Sequence, residues 1–229
     1  MSSWRGYSAT NSQGRSSTGK LFEGGCAIHF FLQGDPGVGK SHLLRHLMHP
    51  YASMIAGFTV QRLYQNNELV GYCAKPLAGT FHDLDAVYHP DLDGLFLSEN
   101  NHDVGVLEQI LDQVFQDSLS PFCRLILLDE IGGMELLSPH FMKGLMRILE
   151  GEKPCVGILK SRRNLEEMVR CQQLDRSCLM LHQRLEKFLQ SNGMLVELTL
   201  DNRHWVEKQF RTYLKNLPFL QVTTKEWNG

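Results

Sequence analysis

Short, nearly continuous apolar runs recur along this chain: CAIHFFL (Cys26–Leu32), RLILLDE (Arg124–Glu130), PCVGILK (Pro154–Lys160) and MLVELTL (Met194–Leu200). Runs so nearly free of polar residues suit strands buried on both faces, as in a parallel sheet. Between them, apolar residues return at helical spacing. This predicts a helix from about Ser41 to His49 ended by Pro50, one over VLEQILDQVF (Val106–Phe115), one opened by Ser138 and Pro139 and running to about Leu149, one over Cys178–Gln190 and a closing one over His204–Asn216. GFTVQRLY and ELVGYCAKPL flank Asn66-Asn67 and predict a hairpin, and GLFLS (Gly94–Ser98) predicts a further short strand. Buried strands alternating with helices imply an α/β fold around a mainly parallel sheet, with the hairpin as an antiparallel piece.

Residues 1–20, MSSWRGYSATNSQGRSSTGK, carry no apolar period and read as a flexible tail. The folded domain is expected over 21–229. No internal repeat and no second low-complexity segment interrupts it.

The first buried strand runs directly into Gly34-Asp35-Pro36-Gly37-Val38-Gly39-Lys40-Ser41, a full match to the GxxxxGKS phosphate-loop pattern. Each residue type has a reason. Glycines let the backbone turn tightly and aim several N–H groups at one phosphate. The following helix presents its positive N-terminal end. Lys40 is a mobile point charge for the β- and γ-phosphates, and the Ser41 hydroxyl is placed to ligate Mg²⁺. The expected partner is an apolar strand ending in an acid. LILLDE supplies it, with Asp129 placed to hold Mg²⁺. Glu130 comes next, where a carboxylate can orient a water beside the γ-phosphate and take its proton, or else cap the following turn. An acid in that place, with no Arg-rich lid segment elsewhere, points to hydrolysis.

Composition narrows the class. A net charge of −2 over 229 residues makes no case for a nucleic-acid partner, and the 42% apolar fraction is ordinary for a globular chain. The six cysteines form no CxxC pair and several lie inside apolar runs, which favours free thiols and a cytoplasmic setting. No apolar stretch reaches membrane-spanning length and no secretory signal is evident, so neither a membrane nor export is expected.

Other candidates carry two readings each. Asn202 and Arg203 follow a strand and open the last helix, where they can contact base or phosphate, or where Asp201 or Asn202 simply caps the helix. Arg162 and Arg163 follow PCVGILK in what reads as a polar loop, as phosphate-sensing or solvated cations. Glu135 can support Asp129 or sit in a loop. His42, His46 and His49 share a helix face but have no further ligand nearby, so they read as surface. The acids of HDLDAVYHPDLDG lack a calcium-loop pattern.

GDPGVGKS, Gly57-Phe58, DEIGGMELLSPHF (Asp129–Phe141), KPCVGIL and LDNR (Leu200–Arg203) resemble, in order and spacing, the nucleoside-triphosphatase family known from thermophiles and, in animals, as the cancer-related nucleoside-triphosphatase. The resemblance spans about Ala27 to Arg203. It implies a RecA-like P-loop NTPase fold, a mainly parallel sheet with helices on both faces, and Mg²⁺-dependent hydrolysis of ATP, GTP and other nucleoside triphosphates. It carries over to Gly34–Ser41, Asp129, Glu130, Gly132, Met134, Glu135, Ser138, Asn202 and Arg203. The chain departs from the family at Val60–Tyr64, where an acidic pair and an arginine are usual, and in the segment after the hairpin. A small-molecule or nucleotide kinase and a nucleotide-dependent switch serving a protein partner are the competing classes.

Overall fold

The computed structural model describes residues 29–98, 101–172 and 175–217, so the tail expected at 1–20 and the start of the domain near Leu21 lie outside the described residues. The apolar runs form strands of one nine-stranded sheet. Its parallel centre consists of β2 (Ile55–Gln65), β7 (Leu125–Ile131), β8 (Cys155–Leu159), β1 (His29–Gln33) and β9 (Gly193–Glu197), side by side in that order. On the far side of β2 the antiparallel strands β3 (Glu68–Pro76), β5 (Leu95–Ser98) and β6 (Asn101–His102) extend the sheet, and β4 (Asp85–Val87) pairs with the outer half of β2.

The central strands read as unbroken apolar runs because both faces are covered. Phe31, Ile126, Leu128 and Cys155 face a core closed by α2 (Val104–Ser118), α3 (Pro139–Leu149) and α5 (Ser177–Asn192). Phe30, Leu32, Leu125, Leu127, Val156 and Ile158 face a second core closed by α1 (Lys40–Met48) and α6 (Arg203–Asn216). This is the layered arrangement the alternation of strands and helices implies.

The local signals act as their chemistry requires. Asn66 and Asn67 take φ of 53° and 65°, the left-handed pair that a two-residue hairpin turn needs. Ser138 Oγ accepts the Phe141 N–H at 3.1 Å, and Pro139 opens α3. Pro50 acts as expected and adds a detail. It ends the α-helix but continues into a 3₁₀ turn (His49–Met54), where its missing N–H costs nothing. The polar loop expected after PCVGILK is instead the helix α4 (Arg162–Gln172). Its buried side is narrow: Leu165 and Val169 pack on Cys178 of α5 with Met168 partly buried beside them, and Arg162, Arg163, Glu166, Glu167 and Arg170 are exposed. Cys73, Cys123, Cys155 and Cys178 are buried free thiols, and Cys171 is exposed. Among the described residues no helix is long and apolar enough to cross a membrane.

Candidate active site

The carboxyl ends of the parallel strands share one edge of the sheet, where α/β proteins place their ligands. Residues 34–39 follow β1 at this edge and lead into α1. Gly34 has φ +142°, and a Cβ there would stand 2.3 Å from the Leu198 carbonyl oxygen, so only glycine lets the loop leave β1 this close to the chain beyond β9. Gly39, at φ +87°, is the N-cap of α1 and offers no side-chain cap, nor does the first turn carry an acid. The first N–H groups of α1 are left to an external anion. Lys40 lies in the same place, nearly buried. Its Nζ donates to the carbonyls of Gly34 at 2.9 Å and Asp35 at 2.8 Å. Burial pushes its ammonium pKa down, and the charges of Glu130, Asp129 and Asp35, in that order, push it back up.

The end of β7 is irregular in a way that matters chemically. Leu128 pairs with Gly157 and Ile131 with Leu159, so Asp129 and Glu130 together oppose a single residue of β8. This is a bulge, and Glu130 is its extra residue, with φ +55°. In a regular strand neighbouring side chains point to opposite faces. Here the carboxylates of both Asp129 and Glu130 act on the Lys40 ammonium, with Glu130 the stronger. A left-handed glutamate is strained backbone, of a kind concentrated at functional sites. The Glu130 carboxylate is half-buried and forms no hydrogen bond or ion pair among the described residues.

Asp129 is 2% exposed. Its Oδ1 accepts from Ser41 Oγ at 3.3 Å and its Oδ2 from the Val60 N–H at 3.0 Å. Burial, and then the charge of Glu130, push its carboxyl up to about 7, against the pull of those two hydrogen bonds and of Arg45. A buried carboxylate with no ion pair among the described residues, beside a serine hydroxyl, is a hard-oxygen donor set that suits Mg²⁺. The stretch that departs from the family, Val60–Tyr64, is the middle of β2. Besides the Val60 amide it supplies Gln61, which donates to the Asp83 carbonyl at 2.6 Å, and Arg62, which pairs with Asp85 at 2.7 Å on the surface.

Glu135 has a structural part. Its Oε1 accepts from the N–H groups of Gly132 at 2.6 Å and Gly133 at 2.7 Å, locking the turn that follows Glu130. Asn202 is likewise occupied: its Oδ1 accepts from the Thr199 N–H and its amide donates to the Glu197 carbonyl, both at 2.8 Å. It shapes the turn after β9 and so aims Arg203, whose Nη1 lies 3.5 Å from the Val38 carbonyl and 2.5 Å from where a Gly39 Cβ would be. Arg162 and Arg163 separate. Arg162 pairs along α4 with Glu166 at 2.8 Å, whereas Arg163 reaches Asp35 of the phosphate loop at 3.5 Å. Both partners of the second pair are well exposed, so it contributes little to stability.

With this geometry in place, the sequence profile of the NTPase family matches residues 29–211, from β1 into α6. The chain belongs to the NTPase family. Two relatives illustrate the distance within it. Nucleoside-triphosphatase THEP1 of Methanosarcina acetivorans is 28% identical over 136 residues, 58% of this chain and 75% of that protein. The cancer-related nucleoside-triphosphatase homolog of Mus musculus is 29% identical over 130 residues, 53% and 68%. The crystal structure of THEP1 from Aquifex aeolicus, 19% identical, superposes with a TM-score of 0.56 over 83% of this chain and 99% of that one, which shows the shared fold. The chain is thus a nucleoside-triphosphatase on a P-loop fold. Two residues at this NTPase edge were not singled out in the sequence, Lys160 and His182. A cation at the carboxyl end of a buried parallel strand was a legible signal for the first, whereas nothing in the sequence marks the second.

Proposed function

We propose that this NTPase is Mg²⁺-dependent and releases phosphate from ATP, GTP and other nucleoside triphosphates, with Glu130 as the base that activates water. The observation that carries this reading is the bulge at Asp129–Glu130. It breaks the strand's alternation at two successive carboxylates whose charges both favour the Lys40 ammonium, one buried against Ser41 and one without a hydrogen bond or ion pair among the described residues. The first suits a metal and the second suits a water. In this reading the amides of Gly34–Ser41 and the Lys40 ammonium bind the phosphate oxygens. Ser41 and Asp129 would hold Mg²⁺, which would supply charge neutralisation to the phosphates. Glu130 orients a water in line with the γ-phosphorus. As the new O–P bond forms, a proton passes to the Glu130 carboxylate, and the bond to the bridging oxygen breaks toward the diphosphate. Lys40 stabilises the charge that gathers there. Arg203, aimed by Asn202, meets the nucleotide from the β9 side of the loop. The five described free thiols fit a reducing, cytoplasmic setting.

The test is phosphate release by the full chain with ATP, GTP, CTP and UTP, with Mg²⁺ and with EDTA. Release that needs Mg²⁺ and no second substrate is the expected result. Undiminished release in EDTA defeats the metal assignment, and release only in the presence of an acceptor that becomes phosphorylated favours a kinase. A pH series adds a second check. The Asp129 carboxyl is pushed up to about 7, so below that pH Mg²⁺ must displace a proton and above it need not. Apparent Mg²⁺ affinity in nucleotide binding should fall about tenfold per unit as pH drops below this midpoint and level off above it. A flat profile across the midpoint would remove Asp129 from the metal site.

A further inference from the structure

β8 lies between β7, which ends in the two carboxylates, and β1, which feeds the phosphate loop. Whatever follows β8 emerges between those two features. That residue is Lys160, and its main chain is held from both sides. Its N–H donates to the Ile131 carbonyl at 2.8 Å, and its carbonyl hydrogen-bonds with Nε2 of His182 at 2.7 Å. His182 stands on α5, fully buried, with its ring 3.1 Å from where a Gly132 Cβ would be. One imidazole therefore braces the tip of β8 and the turn after Glu130 together.

The Lys160 side chain is half-buried, and its Nζ lies 3.6 Å from where a Gly133 Cβ would be. It forms no hydrogen bond or ion pair among the described residues. Glu135, the acid over the same glycine, is turned to the Gly132 and Gly133 amides and forms no ion pair with it. The Lys160 charge also reaches Lys40 and adds to the burial that pushes that ammonium down. Two cations within electrostatic reach of one another, one of them with no ion pair among the described residues, repel, and an anion lying between them would relieve that repulsion. Three residues on, the Arg163 side chain reaches Asp35 of the phosphate loop at 3.5 Å, so the start of α4 lies within a side chain's length of that loop.

We infer that Lys160 contacts the terminal phosphoryl group of the bound triphosphate, and that His182 is the positioning residue that holds it there. This rests on the triphosphate site proposed above. A contact to the terminal group has a signature that a merely structural role lacks: it separates triphosphate from diphosphate affinity. The experiment measures binding of a non-hydrolysable ATP analogue and of ADP, each with Mg²⁺, to the full chain and its variants by calorimetry. Lys160→Met should weaken the triphosphate about tenfold or more, the size of a charge-assisted contact, and leave ADP at the parent affinity. Lys160→Arg should keep the discrimination. His182→Leu should lower the same ratio, and His182→Gln, which restores an N–H donor, should recover part of it in protein whose thermal midpoint is intact. Equal weakening of both nucleotides by Lys160→Met, or no change in either, overturns the inference while leaving the phosphate site standing. A parent chain that binds neither nucleotide overturns the site itself, and the inference with it.

Discussion

Glu130→Gln should bind ATP or GTP with Mg²⁺ like the parent and release phosphate about 10²–10⁴-fold more slowly, the usual contribution of a general base. The substitution keeps the size of the side chain and one acceptor oxygen but removes the ability to take a proton. Binding should survive for a specific reason. Glu130 is one of the influences that hold the Asp129 carboxyl up to about 7, so removing its charge makes Asp129 easier to ionise and does not cost Mg²⁺ affinity. No hydrogen bond is lost either, because the Glu130 carboxylate forms none among the described residues. Single-turnover phosphate release beside equilibrium binding separates the two steps. If Glu130→Gln turns over like the parent, the base lies elsewhere and the kinase and switch readings gain.

Lys40→Ala is the second large effect. The ammonium sits nearly buried among the loop carbonyls, where Glu130, Asp129 and Asp35 all favour its charged form. Its charge-assisted contact to the phosphates is worth about 1.5–3 kcal/mol, so triphosphate affinity should fall by about 10–150-fold. The fold should remain, since Lys40 opens α1 and the helix is anchored by Leu43, Leu44, Leu47 and Met48 in the second core. Calorimetry with a circular-dichroism control measures both, and unchanged affinity would sink the phosphate-loop assignment.

The two results would locate function in two different kinds of information. The phosphate loop was legible because its chemistry is local. Three glycines in left-handed or otherwise positive-φ backbone, a lysine and a serine at fixed spacing can hardly do anything else between an apolar strand and a helix. The main strands were legible because a strand buried on both faces must be apolar throughout. α4 was not. Among the described side chains of its sequence, RRNLEEMVRCQ, only Leu165 and Val169 are buried, so its apolar period is too thin to stand out from a charged loop. β4 escaped for the same reason, since its residues are exposed or only half-buried and it exists by pairing with β2.

By itself, then, the sequence determined the class of fold, the glycine-rich loop proposed to hold phosphate and the acids expected to serve it, because period, glycine and charge spacing act within a few residues of one another. Tertiary structure decided how those acids serve. Period-2 alternation alone would send Asp129 and Glu130 to opposite faces of the sheet, and the mismatch with β8, with Glu135 locking the turn beyond, breaks that alternation at the two acids whose charges act on Lys40. It also decided that Asn202 is consumed by its own turn while Arg203 lies against the loop, and that Lys160 emerges between β7 and β1 with His182 beneath it, 22 residues further along the chain. Strand order and the packing of a distant helix set these relations, and neither is written in the residues that they bring together.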